Sequence, residues 1–530
     1  MQSSRMSFKN MMVAPHHLAA KTGSNILQEG GNAVEAMIAS AAMISVVYPH
    51  MNSMGGDNFW LISDKNKNVK SIDACGGAAN SISIDFYKKQ GYNSIPSRGP
   101  LAALTVPGAV SGWKMAYDYS VNKLGGKLSL DRLLQDARDV SEEGISVTHT
   151  LRNNLEAKAY QLVDIPGFKD IYFKNGKIPE VGDKLQFTSM SKTFSSLIKN
   201  GFDDFYTGQI AKDILSDLET LGSPLKKIDF DNYNASFVNP LQLDVMNAKL
   251  FNLPPPTQGL ASILILGVLG ELPHQYKKDT DLIHKVVEAT KVVFKVRDKY
   301  ICDPEYMTKK TSEFLNKDFI KQLAKKIDLN KALPWPDANI GGDTVWLGAS
   351  DSFGNTVSFI QSIYWEFGSG LILPKTGITM QNRGISFSLE NDNFNKLLPK
   401  RKPFHTIQPA LAHFNDGRVM AYGTMGGEGQ PQTQATIFLR YALQNLDLQK
   451  AINEPRWLLG RTWGDETTSL KIEGRFDNTT FNDLTKLGHN IERVGDYEEI
   501  MGHAGAIVDH PNGLKEGAYD LRSDGDAVGG

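Results

Sequence analysis

Gly341-Gly342-Asp343-Thr344 carries the residue types best suited to unaided chemistry. Paired glycines take backbone angles that other residues reach only with strain. A tight turn there would expose the Asp343–Thr344 peptide to the Thr344 hydroxyl. Attack by that hydroxyl converts the amide to an ester, and hydrolysis then frees Thr344 as a new N-terminus. Its α-amine, with an unperturbed pKa of about 7.7–8.0, suits proton transfer from its own hydroxyl near neutral pH. A plain glycine turn opening a strand accounts for the same four residues, and for this string alone it is the stronger reading. Other signatures are missing: the sequence has no G-x-S-x-G, H-E-x-x-H, C-x-x-C or Walker loop. Gly427-Glu428-Gly429 lacks the third glycine of a dinucleotide fingerprint. Gly426-Gly427 could still offer backbone N–H groups to an anion.

The elements that must position these residues follow from apolar spacing. Val345–Ala349 and Thr356–Ile360 flank the turn Asp351–Asn355 and predict a hairpin that begins at Thr344. Phe59–Ile62 and Val69–Ile72 predict a second strand pair, preceded by the glycine turn Gly55-Gly56. Leu18–Gln28 and Ala33–Val47 predict helices separated by a Gly30-Gly31 stop and an Asn32 cap. Small residues in the second let it lie close to a neighbour. Residues 107–320 predict a mostly helical middle, with helices over 108–119, 130–143 and 281–299 and a charged helical stretch over 309–331. Pro254-Pro255-Pro256 is a rigid extended piece. The character changes at Pro334-Trp335-Pro336-Asp337. Strand pairs alternating with long helices, without βαβ spacing, predict helices packed over mostly antiparallel sheets.

Composition sets the remaining bounds. The 530 residues are 41% hydrophobic, enough for a large core, and the net charge of −2 gives no nucleic-acid footprint. Two cysteines, Cys75 and Cys302, exclude a disulfide framework and a cysteine-rich zinc module. The N-terminus shows no signal core, and Ala33–Val47 is too short and polar to span a membrane. A cytoplasmic protein without membrane or nucleic-acid partners is expected.

The surroundings of Thr344 resemble a known family. Residues 342–359 resemble the start of the small subunit of γ-glutamyltranspeptidases, N-terminal-nucleophile hydrolases that cleave their own precursor. Matching strings occur in order along the chain, at 26–36, Gly55-Gly56, 105–109, 253–256, 367–370, 423–427 and 517–522. The resemblance implies an α+β fold, the four-layer αββα sandwich. It implies a large subunit, 1–343, and a small subunit, 344–530, cut between Asp343 and Thr344 and remaining together as one unit. Thr344 becomes the nucleophile. Ser362, eighteen positions on, matches a hydroxyl residue that bonds it. Gly426 and Gly427 match the oxyanion-hole glycines. No cofactor or metal is implied, since the chain supplies nucleophile, base and oxyanion donors. Partners are the substrate and the cleaved sister chain, with pairing of two heterodimers left open.

The substrate end departs from the transpeptidase pattern. The region 78–86 has no Arg for an α-carboxylate, and Ser386 falls near the position of the Asp that grips the α-amino group. Tyr364 replaces an Asn, and His405-Thr406 replaces a Ser-Ser pair. Losing those partners matters, because a site built for charged groups discriminates strongly. The strings at 363–367, 381–384, 403–407, 423–433, 456–463 and 502–505 instead resemble a transpeptidase-like amidohydrolase branch, whose implied substrate is a small, oxamate-like amide. Arg383 could bind a small carboxylate or form a structural salt bridge; both readings stay open. His405 and His503 could orient substrate, or hydrogen-bond structurally. Tyr364 and Trp365 fit a pocket wall or a core. The alternatives are a γ-glutamyltransferase or glutathione hydrolase, and a non-processing scaffold.

Overall fold

The computed structural model describes residues 3–276, 278–335, 343–460 and 468–530, with Asp343 as backbone only. Gly341-Gly342, Pro336-Asp337 and residues 461–463 of the matching strings lie outside the described residues.

Two seven-stranded sheets form the middle of the molecule. The first runs Arg5–Ser7, Lys515–Tyr519, Ala504–Asp509, Val419–Thr424, Ala410–Phe414, Ala248–Asn252, Leu241–Val245. The second runs Asp526–Gly529, Met11–Ala14, Asp343–Ser350, Thr356–Tyr364, Asp57–Ser63, Val69–Ala74, Ser236–Val238. Every pairing within them is antiparallel.

Alternation along each strand sorts side chains between two cores. Phe59, Leu61 and Ile360 face Phe251 and Leu411 of the other sheet. Trp346 meets Ala421 and Ile507 in the same inter-sheet layer. Trp60, Ile62, Leu347 and Phe359 point the other way, into the core under Ala33–Val47 and neighbouring helices. Gly259–Gly270, Asp279–Tyr300 and Gly429–Ala442 cover the first sheet. The result is the four-layer αββα sandwich.

The helix Ala33–Val47 is buried at every position. Glu35 closes a capping box with Asn32, and its second carboxylate oxygen accepts the Lys127 and Leu128 N–H groups, both at 2.7 Å. Asp351 Oδ2 accepts the Ala33 N–H at 2.8 Å, so the start of this helix is tied to the hairpin turn.

Two expectations need correction. The middle of the chain also contributes the hairpin Leu241–Val245 and Ala248–Asn252 to the first sheet. Its Leu-Gln-Leu-Asp-Val alternation is the period-two signal that the helical reading passed over. The stretch 309–331 holds only two short helices, Thr311–Phe314 and Lys317–Ala324. Among the described residues no helix is long and apolar enough to cross a membrane.

Trp346 generates a stability prediction. A Cβ on Gly423 would lie 2.1 Å from Trp346 Cδ1, and one on Gly505 2.4 Å from Cζ3. The Trp346 ring therefore fits only against bare backbone. Gly423→Ala should destabilise the chain by about 1–3 kcal/mol, read as a lower Tm; an unchanged Tm would contradict this packing.

Candidate active site

Thr344 is buried on the inter-sheet side of the second sheet, two residues before Trp346. A register shift between Asp343 and Val345 sets Asp343 opposite Tyr364 and Val345 opposite Gln361. Thr344 thus sits at an irregularity rather than in a regular ladder. Gln430 Nε2 donates to Thr344 Oγ1 at 3.3 Å from the first turn of the helix Gly429–Ala442. Ser362 lies on the adjacent strand, opposite Asp57. Its Oγ accepts from the Tyr364 N–H at 2.8 Å and from Arg383 Nη2 at 3.0 Å.

Gly426 and Gly427 connect the strand Val419–Thr424 to that helix with φ of 112° and 50°. These left-handed angles suit glycine. The turn is braced from behind. Gln258 Nε2 donates to the Gly427 carbonyl at 2.8 Å and to the Thr406 carbonyl at 2.6 Å. Arg297 holds Gln258 Oε1 at 3.3 Å and Glu428 Oε1 at 2.6 Å. Arg297 and Glu428 are both buried, and Arg297 also pairs with Asp298 at 2.7 Å. The positive end of a helix at this turn favours a developing negative charge.

Arg383 opens the short turn Arg383–Ser386 and is fully buried. Its guanidinium stacks 4.2 Å from the centre of the Tyr364 ring and donates to Thr406 Oγ1 at 3.4 Å. Tyr364 itself holds a φ of 83°, a strained value for a bulky residue. No carboxylate lies within ion-pair distance of Arg383 among the described residues, which disfavours the structural salt bridge. Burial pulls its pKa down to about 10, with Tyr364 and Asp57 opposing; it stays a cation.

Beside it, Asp57 Oδ1 accepts the N–H groups of Gly108 at 2.9 Å and Gly76 at 3.3 Å. Burial nevertheless pushes the Asp57 carboxyl up to about 7, against the pull of Arg383. His405 Nε2 stands 3.7 Å from Asp57 Oδ2. Burial, then Arg383, holds the imidazole well below its ordinary pKa, so it is neutral. Among the described residues neither of its ring nitrogens has a hydrogen-bond partner, so none of them makes the structural hydrogen bond expected of it. His503 Nδ1 meets the Tyr48 hydroxyl at 3.2 Å, away from Arg383.

The fold therefore joins Ser362, Tyr364, Arg383 and Thr406 by direct contacts. It links them to Thr344 through the strand pair and to Gly427 through Gln258. Sequence reasoning assigned no role to Asp57, Gln258, Arg297, Glu428 or Gln430. Glu428 and Gln430 lie inside the matching string 423–433; nothing local marks the others. Among the described residues, His284, Glu288 and His489 form the one group with metal-ligand spacing. Lys291 Nζ already occupies Glu288 at 2.7 Å, and the two imidazoles bond each other at 2.8 Å, so the group does not suit a cation.

Asp57 gives a pH prediction. With a folded pKa near 7 against an ordinary 3.8, the folded chain keeps a proton that the unfolded chain loses. Stability then falls as pH rises across that window. Asp57→Asn should remove this component, so its Tm advantage over wild type should widen from about pH 5 to about pH 8. A pH-independent difference would contradict the assignment.

The chain is 47% identical to the oxamate amidohydrolase proenzyme of Klebsiella pneumoniae, over 100% of both chains. It is 38% identical to the glutathione hydrolase-like YwrD proenzyme of Bacillus subtilis, again over 100% of both. The crystal structure of cephalosporin acylase from Bacillus halodurans superposes with a TM-score of 0.91 at 30% identity, over 100% of this chain and 97% of that one. The Helicobacter pylori γ-glutamyltranspeptidase structure gives 0.56 at 25% identity, over 60% and 92%. The γ-glutamyltranspeptidase family model matches residues 19–530, and the chain belongs to that family.

Proposed function

We propose that this chain is a self-processing amidohydrolase that cleaves a small amide acid through an acyl-Thr344 intermediate. The chain is an amide-cleaving enzyme of the N-terminal-nucleophile type. In the first reaction the Thr344 hydroxyl attacks the Asp343 carbonyl, and water hydrolyses the resulting ester. This leaves chains 1–343 and 344–530 and a free Thr344 amine. In turnover that amine takes the hydroxyl proton as Oγ attacks the substrate amide carbonyl. The Gly426 and Gly427 N–H groups receive the oxyanion; a donor of this kind is worth about 2.7–4 kcal/mol. The protonated amine returns its proton to the leaving nitrogen, which departs as ammonia. Water, activated by the same amine, then releases the acid and restores Thr344. Ser362 positions the nucleophile.

The observation that carries the substrate class is Arg383. It is a buried cation without a carboxylate partner among the described residues, 3.0 Å from Ser362 Oγ. A substrate carboxylate would neutralise it. The oxamate amidohydrolase relative supports an oxamate-like substrate. The glutathione hydrolase-like relative favours a second reading, hydrolysis or transfer of a γ-glutamyl group.

The two readings separate on substrate. Purified enzyme should release ammonia from oxamate and little amine from a γ-glutamyl anilide. Clear anilide turnover with no ammonia from small amides would reverse the order. Arg383→Gln should lower kcat/KM for oxamate by about a hundredfold or more and leave the cut at Thr344 intact. Unchanged kcat/KM would remove Arg383 from substrate binding.

A further inference from the structure

The helix Asp279–Tyr300 turns His284, Glu288 and Lys291 to one side, spaced by four and three residues. None of them touches the site above. What they hold is backbone. His284 Nε2 lies 2.9 Å from the Asp328 carbonyl oxygen. Lys291 Nζ donates to the Leu333 carbonyl at 2.7 Å, and the Leu333 N–H donates to Glu288 Oε2 at 2.8 Å. Glu288 and Lys291 pair with each other at 2.7 Å, both buried. An anion and a cation thus grip the two backbone polar groups of a single residue.

The opposite side of the grip comes from beyond Thr344 in sequence. The Leu487 carbonyl accepts the Ala332 N–H at 2.7 Å. His489 Nε2 lies 2.8 Å from His284 Nδ1. With Nε2–H of His284 donated to Asp328, its Nδ1 accepts from His489. Leu333 stands ten residues before Asp343. Two buried charges are no more stabilising than a well-packed apolar pair. An apolar pair, however, could not satisfy the N–H and C=O of Leu333.

We propose that Glu288–Lys291, with His284–His489, is a clamp that positions the approach to the Asp343–Thr344 peptide, and that self-cleavage depends on it. The inference rests on the reading of Thr344 as a self-cleaving nucleophile. Fixing Leu333 anchors the chain ten residues before the scissile bond and so narrows the geometries offered to the Thr344 hydroxyl. Because its halves lie on both sides of Thr344, the clamp also ties the two chains together after the cut. These are positioning residues: none meets the reacting atoms.

The test uses the full chain and follows the appearance of the fragment beginning at Thr344 by denaturing mass spectrometry. The double variant Glu288→Leu/Lys291→Leu removes both charges together and leaves no unpaired ion. Its cut should be slower by about tenfold or more, while its turnover per cleaved site matches wild type. A folded double variant that cuts at the wild-type rate overturns the clamp. Leu333→Pro deletes the N–H given to Glu288, and Leu333→Ala is its control for the packed side chain lost with it; both leave the helix sequence intact, so the pair carries the same test if the double variant does not fold. Slow cutting there supports the clamp and wild-type cutting overturns it. A wild-type chain that stays whole overturns the parent reading, and the clamp with it.

Discussion

The pairing of Asp343–Ser350 with Thr356–Tyr364 is the constraint on which the rest of the structure depends. That hairpin is central in its sheet, with Met11–Ala14 on one side and Asp57–Ser63 on the other. Its period-two alternation sends Trp346 toward the other sheet and Leu347 toward the helices. The shift at its open end then sets Thr344, Ser362 and Tyr364 around one point. A one-residue slip would turn every one of these side chains to the opposite face. Trp346 against the bare backbone of Gly423 and Gly505 helps to hold the register.

Around that point the protein is polar where its core would otherwise be apolar. Arg297–Glu428 sits behind the glycine turn, Arg383 sits against Tyr364, and a neutral His405 and an Asp57 whose carboxyl is pushed up to about 7 stand beside them. Such groups lose hydration when buried, so the scaffold must supply their partners. Gln258 does this for two segments at once, bonding the carbonyls of Thr406 and Gly427. The wall that carries Arg383 and Thr406 is thereby coupled to the turn proposed to hold the oxyanion. Preorganisation of this kind puts dipoles in place before charge develops.

How much of this was legible in the sequence depends on how local each signal is. The bounds of Ala33–Val47 could be read directly, because Asn32 and Glu35 cap it and Pro49 follows. The hairpin after Thr344 could be read from alternation and a turn. Thr344, Ser362 and the two glycines stood out because their surroundings resemble a family, and Arg383 through the same strings. Asp57, Gln258 and Arg297 were not legible. Each acts through a partner more than a hundred residues away, and nothing in its own neighbourhood marks it. Gln361 shows the same limit: it links Asn52, Asn58 and Trp113 across the helix–sheet core, yet reads as an ordinary strand residue. The strand pair at 241–252 was hidden by helical surroundings.

The central claim is that Thr344 cuts the chain in front of itself and then serves as the nucleophile. Intact mass under denaturing conditions tests it most directly, with a Thr344→Ala control. The account predicts two pieces from the native protein, of 343 and 187 residues out of 530, and a single 58.5 kDa chain from the control. A single uncut chain from both, or the same two pieces from both, would contradict it.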